Sequence, residues 1–326
     1  MPGDNKKIFL QVGKIYDSTD LNMPVHVIRS FEDGPVIFLS AAIHGDEING
    51  VEIIKEVMSV LSKVEIKGTV IAVPIVNVFG FNNQSRYLPD RRDLNRSFPG
   101  SAKGSLASRM AHLFVKEIVS KCTHGIDFHT GAVHRSIFPQ IRVNMKNVKA
   151  LEFAKAFGAP IILDSDVRDG SLRETGKKNG VVTMVYEAGQ ALRFEEDAIK
   201  IGKQGTLNAL HNIGIYPIKP SKIANPLGKS PIQIKDSFWL RSPMGGTLRL
   251  KVKLGKFVKA GEKIGEISGP FGQTGEAIIA PQDGYILGIN HLPLVTVGTA
   301  IVHIGTYTLS KKNKNSEYIS ENTYIS

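Results

Sequence analysis

Apolar runs alternate with amphipathic stretches over the first two thirds of the chain. PVIFLSAAI (35–43), GTVIAVPIV (68–76) and VVTMVYEAG (181–189) are short and nearly continuous in apolar residues. Such runs suit strands buried on both faces. HGIDFHT (124–130) predicts a further short strand. Between them, 49–64 sets Val51, Ile54, Val57, Met58 and Leu61 on one helical stripe. The stretch 105–120 does the same with Leu106, Met110, Leu113, Phe114 and Ile118, and 149–157 with Leu151, Ala154 and Phe157. A fourth helix is expected over 195–213. Strands alternating with helices predict an α/β fold over residues 1–235, with a mostly parallel or mixed sheet covered on both faces.

After about residue 236 the helical pattern stops. Residues 236–308 are rich in glycine and β-branched positions, in short alternating runs. A weak internal repeat runs through them: Val258, Gly261, Ile264 and Ile267 fall in step with Val295, Gly298, Ile301 and Ile304. Two such β units stacked face to face would bury the shared apolar positions. The pattern resembles the barrel-sandwich of biotinyl and lipoyl carrier domains. The stretch between the repeats, SGPFGQTGEAI (268–278), has no lysine to modify, which argues against a carrier role. Residues 309–326 read as a polar, disordered tail.

Composition narrows the classes. The 326 residues are 42% hydrophobic and 22% charged, a soluble globular profile. The single cysteine, Cys122, cannot form an internal disulfide and reads as a small buried hydrophobe. No signal-peptide pattern opens the chain and no apolar run is long enough to span a bilayer, which predicts a cytoplasmic protein with no membrane partner. The net charge of +11 is spread along the chain. A dispersed excess of this kind is either a solvated basic surface or a field that steers a small anionic substrate, and no aromatic-basic module or zinc-finger spacing points to nucleic acid. A homo-oligomer is compatible with the sequence, which does not set the oligomeric state.

The candidate chemistry sits at strand ends. PVIFLSAAI runs straight into HGDE, so His44 and Glu47 lie where open α/β sheets collect ligands. A histidine and a carboxylate three residues apart can close on one metal ion, and Gly45 permits the tight turn. Alone, His44 could equally be a strand-end cap. His129 also ends a short strand before a glycine, and the three together form the ligand set of several zinc peptidases. Asp127 either orients His129 or caps a backbone turn. Glu187, at the end of a third apolar strand, is a candidate base for the bound water, or else a strand-end salt bridge. The loop RYLPDRRDLNRSFPG (86–100) brings Arg86, Arg91, Arg92 and Arg96 close to Asn95. Arg91 and Arg92 suit a solvated basic loop. Asn95 and Arg96, beside apolar Leu94 and Phe98, suit a substrate carboxylate, and an arginine near a metal can stabilise an oxyanion.

HGDE (44–47), DLNRSFPG (93–100), DFHTG (127–131) and YEAG (186–189) occur in the order found in the succinylglutamate desuccinylase and aspartoacylase family of the zinc carboxypeptidase clan, and the chain resembles that family over about residues 20–305. The resemblance implies one Zn2+ per chain held by His44, Glu47 and His129. It implies Glu187 as general base and then proton donor, and Arg86 as the group that polarises the scissile carbonyl. Asn95 and Arg96 would bind the substrate carboxylate, with Arg173 in GSLRETG helping to hold its acidic end. It also implies a deacylase acting on an N-acyl amino acid or a related carboxylate-bearing amide. A metallocarboxypeptidase acting on short or cell-wall peptides is the alternative within the clan, and a non-catalytic binding protein the alternative outside it. The C-terminal tyrosine of aspartoacylases has no clear counterpart: Tyr285 follows a glycine turn typical of the sandwich itself.

Overall fold

The computed structural model describes residues 3–307 apart from 220–221, 224, 229–230 and 273–274, so the tail expected over 309–326 lies outside the described residues. The chain opens with an antiparallel hairpin of β1 (Asn5–Lys14) and β2 (Asp20–Arg29). There follow β3 (Val36–Ala41), α1 (Asn49–Leu61), β4 (Thr69–Val73), the short α2 (Val78–Asn82), α3 (Leu106–Glu117) and β5 (His124–Gly131). Next come β6 (Arg135–Val143), α4 (Val148–Phe157), β7 (Ile161–Asp164), α5 (Leu172–Lys178), β8 (Val182–Gln190) and α6 (Glu196–Asn212). β4, β3, β5 and β8 are parallel neighbours in that order, and β2 and β6 flank them antiparallel. The sheet is therefore mixed, with a parallel centre.

The apolar runs explain that centre. Along β3, Ile37, Leu39 and Ala41 enter one core with α1, α4 and α6, while Phe38 enters the other with Phe114 of α3. Successive strand residues point to opposite faces, so only a strand covered on both sides needs an unbroken apolar run. Cys122 is buried in the second core, and burial pushes its thiol up to about 12, as expected of an inert hydrophobe.

The β-rich second part comprises β9 (Ile232–Ile234), β10 (Ser237–Arg241), β11 (Gly246–Leu250), β12 (Phe257–Val258), β13 (Lys263–Ser268), β14 (Glu276–Ile279), β15 (Gly284–Asn290), β16 (Leu294–Val295) and β17 (Ala300–Thr306). β15 pairs antiparallel with β6, setting Gly288 opposite Ile137 and Asn290 opposite Arg135, and the sheet continues through β17 to β10. A second sheet, in the order β14-β13-β11-β16, lies over this extension. Val258, Ile264, Ile267, Val295, Ile301 and Ile304, the apolar positions of the internal repeat, share one buried cluster between the layers.

Candidate active site

Parallel register brings the chemistry together. Ser40 of β3 stands beside Asp127 of β5, and His129 of β5 beside Glu187 of β8. Just past β3 the backbone turns sharply, with Ala42 at φ 49°. That left-handed conformation is costly for a residue with a Cβ and persists only where the surroundings enforce it. Here the N–H groups of Val76 and Asn77 hold the carbonyls of Ala41 and Ala42. Gly45 presses against α2, where an added Cβ would lie 2.0 Å from the Gly80 carbonyl carbon. Gly45→Ala is therefore expected to push the 44–47 loop off α2, costing about 1–3 kcal/mol in a denaturant melt and most of the activity. An unchanged midpoint would show that the loop relaxes freely.

Three side chains converge within this frame. His44 Nδ1 lies 2.9 Å from Glu47 Oε1, His129 Nδ1 lies 2.7 Å from Glu47 Oε2, and the two Nδ1 atoms are 3.2 Å apart. All three residues are buried. The outer ring nitrogens are engaged by carboxylates: His129 Nε2 is 2.7 Å from Asp127, and His44 Nε2 is 3.1 Å from Asp93. A carboxylate only accepts, so each neutral ring would carry its proton on Nε2 and turn the Nδ1 lone pair inward. Two lone pairs and the Glu47 oxygens then face one point, an arrangement suited to a cation. Asp127 is itself fixed by the Ser40 hydroxyl, which donates to it at 2.7 Å. Asp127 thus orients His129, the first of the two roles its sequence position allows.

The charges are mutually dependent. Burial opposes ionisation of Glu47, but the two imidazoles outweigh it and hold the carboxyl well below the ordinary range. Burial likewise raises the Asp93 carboxyl, and its contacts with His44 and Arg86 reverse this. The Arg86 guanidinium bridges the two acids, at 3.0 Å from Glu47 Oε1 and 3.0 Å from Asp93 Oδ2. Asp93, in the DLNRSFPG motif, was given no role from sequence, yet it links His44 to Arg86.

A cavity of about 210 Å³ opens in front of this cluster. His44, Glu47, His129, Arg86, Asn95, Arg96, Arg173 and Glu187, the residues to which the family resemblance gives a role, all line it. Their engagements differ. The Glu187 carboxylate pairs with Arg142 at 2.9 Å, a partner the sequence did not point to. The Asn95 side-chain oxygen accepts from Leu172 N–H at the start of α5, and Arg96 Nη1 donates to the Asn95 carbonyl. Arg173 donates to the Ser165 hydroxyl and the Asp166 carbonyl. Burial, then repulsion from Arg142, brings its guanidinium down to about 10, so it stays charged at neutral pH. Tyr285 packs against Phe257 and Tyr307 and does not line the cavity. Among the described lining residues, Trp239 is the one supplied by the chain beyond residue 235.

Residues 33–213, more than half of the chain, match the model of the succinylglutamate desuccinylase/aspartoacylase catalytic domain. The chain belongs to this family. A curated relative, the N-alpha-acetyl-L-2,4-diaminobutyric acid deacetylase of Halomonas elongata, is 29% identical over 254 residues, covering 75% of this chain and 73% of that protein. Among solved structures, a succinylglutamate desuccinylase/aspartoacylase from Rhodobacter sphaeroides superposes with a TM-score of 0.83 at 23% identity, over 93% of this chain and 97% of its own. The product-bound ectoine utilization protein EutE (DoeB) of Ruegeria pomeroyi gives 0.83 at 23% identity, over 94% and 97%. At that identity the likeness concerns the fold, which in this family therefore includes the mixed sheet with its helices. Among the described residues, no helix is long and apolar enough to cross a membrane.

Proposed function

We propose that the protein is a zinc-dependent hydrolase that cleaves the amide bond of an N-acyl amino acid or a related small amide bearing a carboxylate. The observation that carries this reading is the convergence of His44, Glu47 and His129 at one end of a cavity that Glu187 and Arg86 also line. The Halomonas elongata relative, by name a deacetylase of an N-acetylated amino acid, supports the same class of reaction. Zinc held by these three residues would supply the acidity that frees a water proton near neutral pH and would polarise a carbonyl oxygen.

The chain's own groups do the rest. Glu187 takes the proton from the attacking water and returns it to the leaving nitrogen, and its ion pair with Arg142 fixes the direction of the carboxylate. Arg86 donates to the developing oxyanion. Asn95 and Arg96 hold the substrate carboxylate, a task suited to a guanidinium fork, and Arg173 adds positive charge at the acidic end. The β-rich second part contributes Trp239 to the cavity lining. The substrate is a small anion, which a basic protein would draw by its field.

The test is hydrolysis of a panel of N-acetyl and N-succinyl amino acids by zinc-loaded protein. Release of free amino acid is expected. Release of C-terminal residues from short peptides, with the panel untouched, would favour a carboxypeptidase. No turnover together with no metal uptake would favour a binding protein.

Arg86→Ala is expected to lower kcat by about 100- to 1000-fold, the usual effect of losing one oxyanion donor. Because Arg86 also binds Glu47 and Asp93, metal content is measured on the same samples. Full zinc occupancy with low kcat assigns Arg86 to the oxyanion, whereas loss of zinc assigns it to holding the ligand.

A further inference from the structure

Gln140 lies within β6 and is fully buried, with 0% of its surface exposed. Neither Oε1 nor Nε2 of its side chain has a hydrogen-bond partner, and among the described residues no other side chain leaves two buried polar atoms in that state. An amide buried without hydrogen bonds costs stability, and native folds pair nearly all such groups. An apolar side chain would suit the place. Ile161, the neighbour of Gln140 on β7, belongs to a small buried cluster with Phe138, Leu163, Ile234 and Leu287. A local choice that works against stability is what a working site imposes on a fold.

The strand register shows which site. Gln140 stands directly opposite Glu187 across the antiparallel pair of β6 and β8, and Glu187 in turn stands beside His129 of β5. Opposed residues of antiparallel strands send their side chains to the same face, with Cβ atoms about 4.5–5.5 Å apart. One row across the sheet therefore runs His129, Glu187, Gln140, Ile161. Of the two neighbours of Gln140 in that row, Glu187 is the one with a polar side chain. Arg142, two residues further along β6 and so on the same face, holds Glu187 Oε2 at 2.9 Å. Two side chains of one strand thus flank a single carboxyl group. Gln140 does not line the cavity, so whatever it does there it does through Glu187.

A group that shuttles a proton needs a neighbour suited to both of its states. The carboxylate only accepts hydrogen bonds, whereas the carboxylic acid must also donate one. Arg142 serves the first state alone, because a guanidinium has no acceptor. An amide serves both: its Nε2–H donates to the carboxylate, and its Oε1 accepts from the acid O–H.

We propose that Gln140 is a positioning residue for Glu187, donating to its carboxylate before the water proton is taken and accepting from its acid hydroxyl until that proton passes to the leaving nitrogen. This rests on the amide-hydrolase reading above, with Glu187 as the base. No proton moves onto the amide: it goes from the water to Glu187 and from Glu187 to the nitrogen.

The experiment compares zinc-loaded wild type, Gln140→Met, Gln140→Leu and Gln140→Asn in zinc content, thermal melting and kinetics on the best substrate of the N-acyl amino acid panel. Methionine keeps the length of the side chain and removes both polar atoms. Gln140→Met is expected to lower kcat by about 10- to 100-fold, the worth of one hydrogen bond to a charged group, with KM and zinc content unchanged. Its melting midpoint should hold or rise, because the unpaired amide is gone. Gln140→Leu should behave alike, and Gln140→Asn, which keeps a donor and an acceptor, should retain more kcat than either. The solvent deuterium isotope effect on kcat should grow in Gln140→Met, since proton transfer then makes up more of the barrier. Loss of packing alone would not change it. Turnover of Gln140→Met and Gln140→Leu within about two-fold of wild type overturns the proposal. A lowered midpoint with an unchanged isotope effect also overturns it, by assigning Gln140 to packing. Failure of the reading beneath looks different: wild type then hydrolyses no member of the panel, and both fall together.

Discussion

Glu187→Gln is expected to lower kcat by about 100- to 10 000-fold while leaving zinc content unchanged, because the amide keeps the shape of the side chain but cannot shuttle a proton. The structure makes the substitution informative. Glu187 stands beside His129 across two parallel strands but outside the converging trio, so on the proposed mechanism its loss removes the base and no ligand. The amide also loses its charge towards Arg142, which then has an unpaired guanidinium facing the cavity. Anionic products are therefore expected to bind the variant at least as tightly as wild type. Turnover within a few fold of wild type would remove Glu187 from the mechanism, and loss of zinc would make it a ligand.

Removing the metal with a chelator is expected to abolish hydrolysis, and one equivalent of zinc per chain to restore it. The pH dependence follows from the ring environments. In the metal-free protein burial lowers the proton affinity of His129, but Asp127 and Glu47 outweigh burial and raise it well above the ordinary range. His44 is raised in the same way, against burial, by Glu47 and Asp93. Zinc must displace these protons, so its affinity rises with pH. The stability of the metal-free fold moves the opposite way. A raised folded-state pKa contributes stability fully present below the ordinary histidine value of about 6.5, and lost as pH rises through the folded-state values. Thermal melts of metal-free and zinc-loaded protein on either side of neutrality should diverge, with the gap widening upward in pH. A gap independent of pH would show that the rings bind metal without releasing protons.

The sequence made the parallel centre legible for a physical reason. β3, β4 and β8 are covered on both faces, so they appear as unbroken apolar runs, and their ends fall within three residues of the expected limits. α1, α3, α4 and α6 were visible through their apolar stripes. β6 escaped notice because RSIFPQIRV breaks its apolar pattern with Arg135, Gln140 and Arg142. Two of these line the cavity, so the residues that hid the strand are the ones the site uses. α5 is seven residues long and too short for helical periodicity to register. Within the site, the trio and Glu187 were readable because each ends a strand at a motif. Asp93 was in view but without a partner to give it meaning, since its link to Arg86 and His44 exists only in three dimensions. Trp239 and Arg135 lie far apart in the chain, and only the pairing of β15 with β6 brings them together.

That pairing also imposes an order of events during synthesis. His44, Glu47, His129 and Glu187 have all been synthesised once the chain reaches residue 187. The Arg135–Ile137 end of β6, beyond the stretch that pairs with β7, nevertheless stays unpaired until β15 arrives, and Trp239 has no stacking partner until His303 follows. Contacts so distant in sequence close late and slowly, and an open strand edge is prone to pair with other chains. The nascent protein thus carries the residues of the proposed reactive site, with an unfinished wall, while more than a hundred further residues are made.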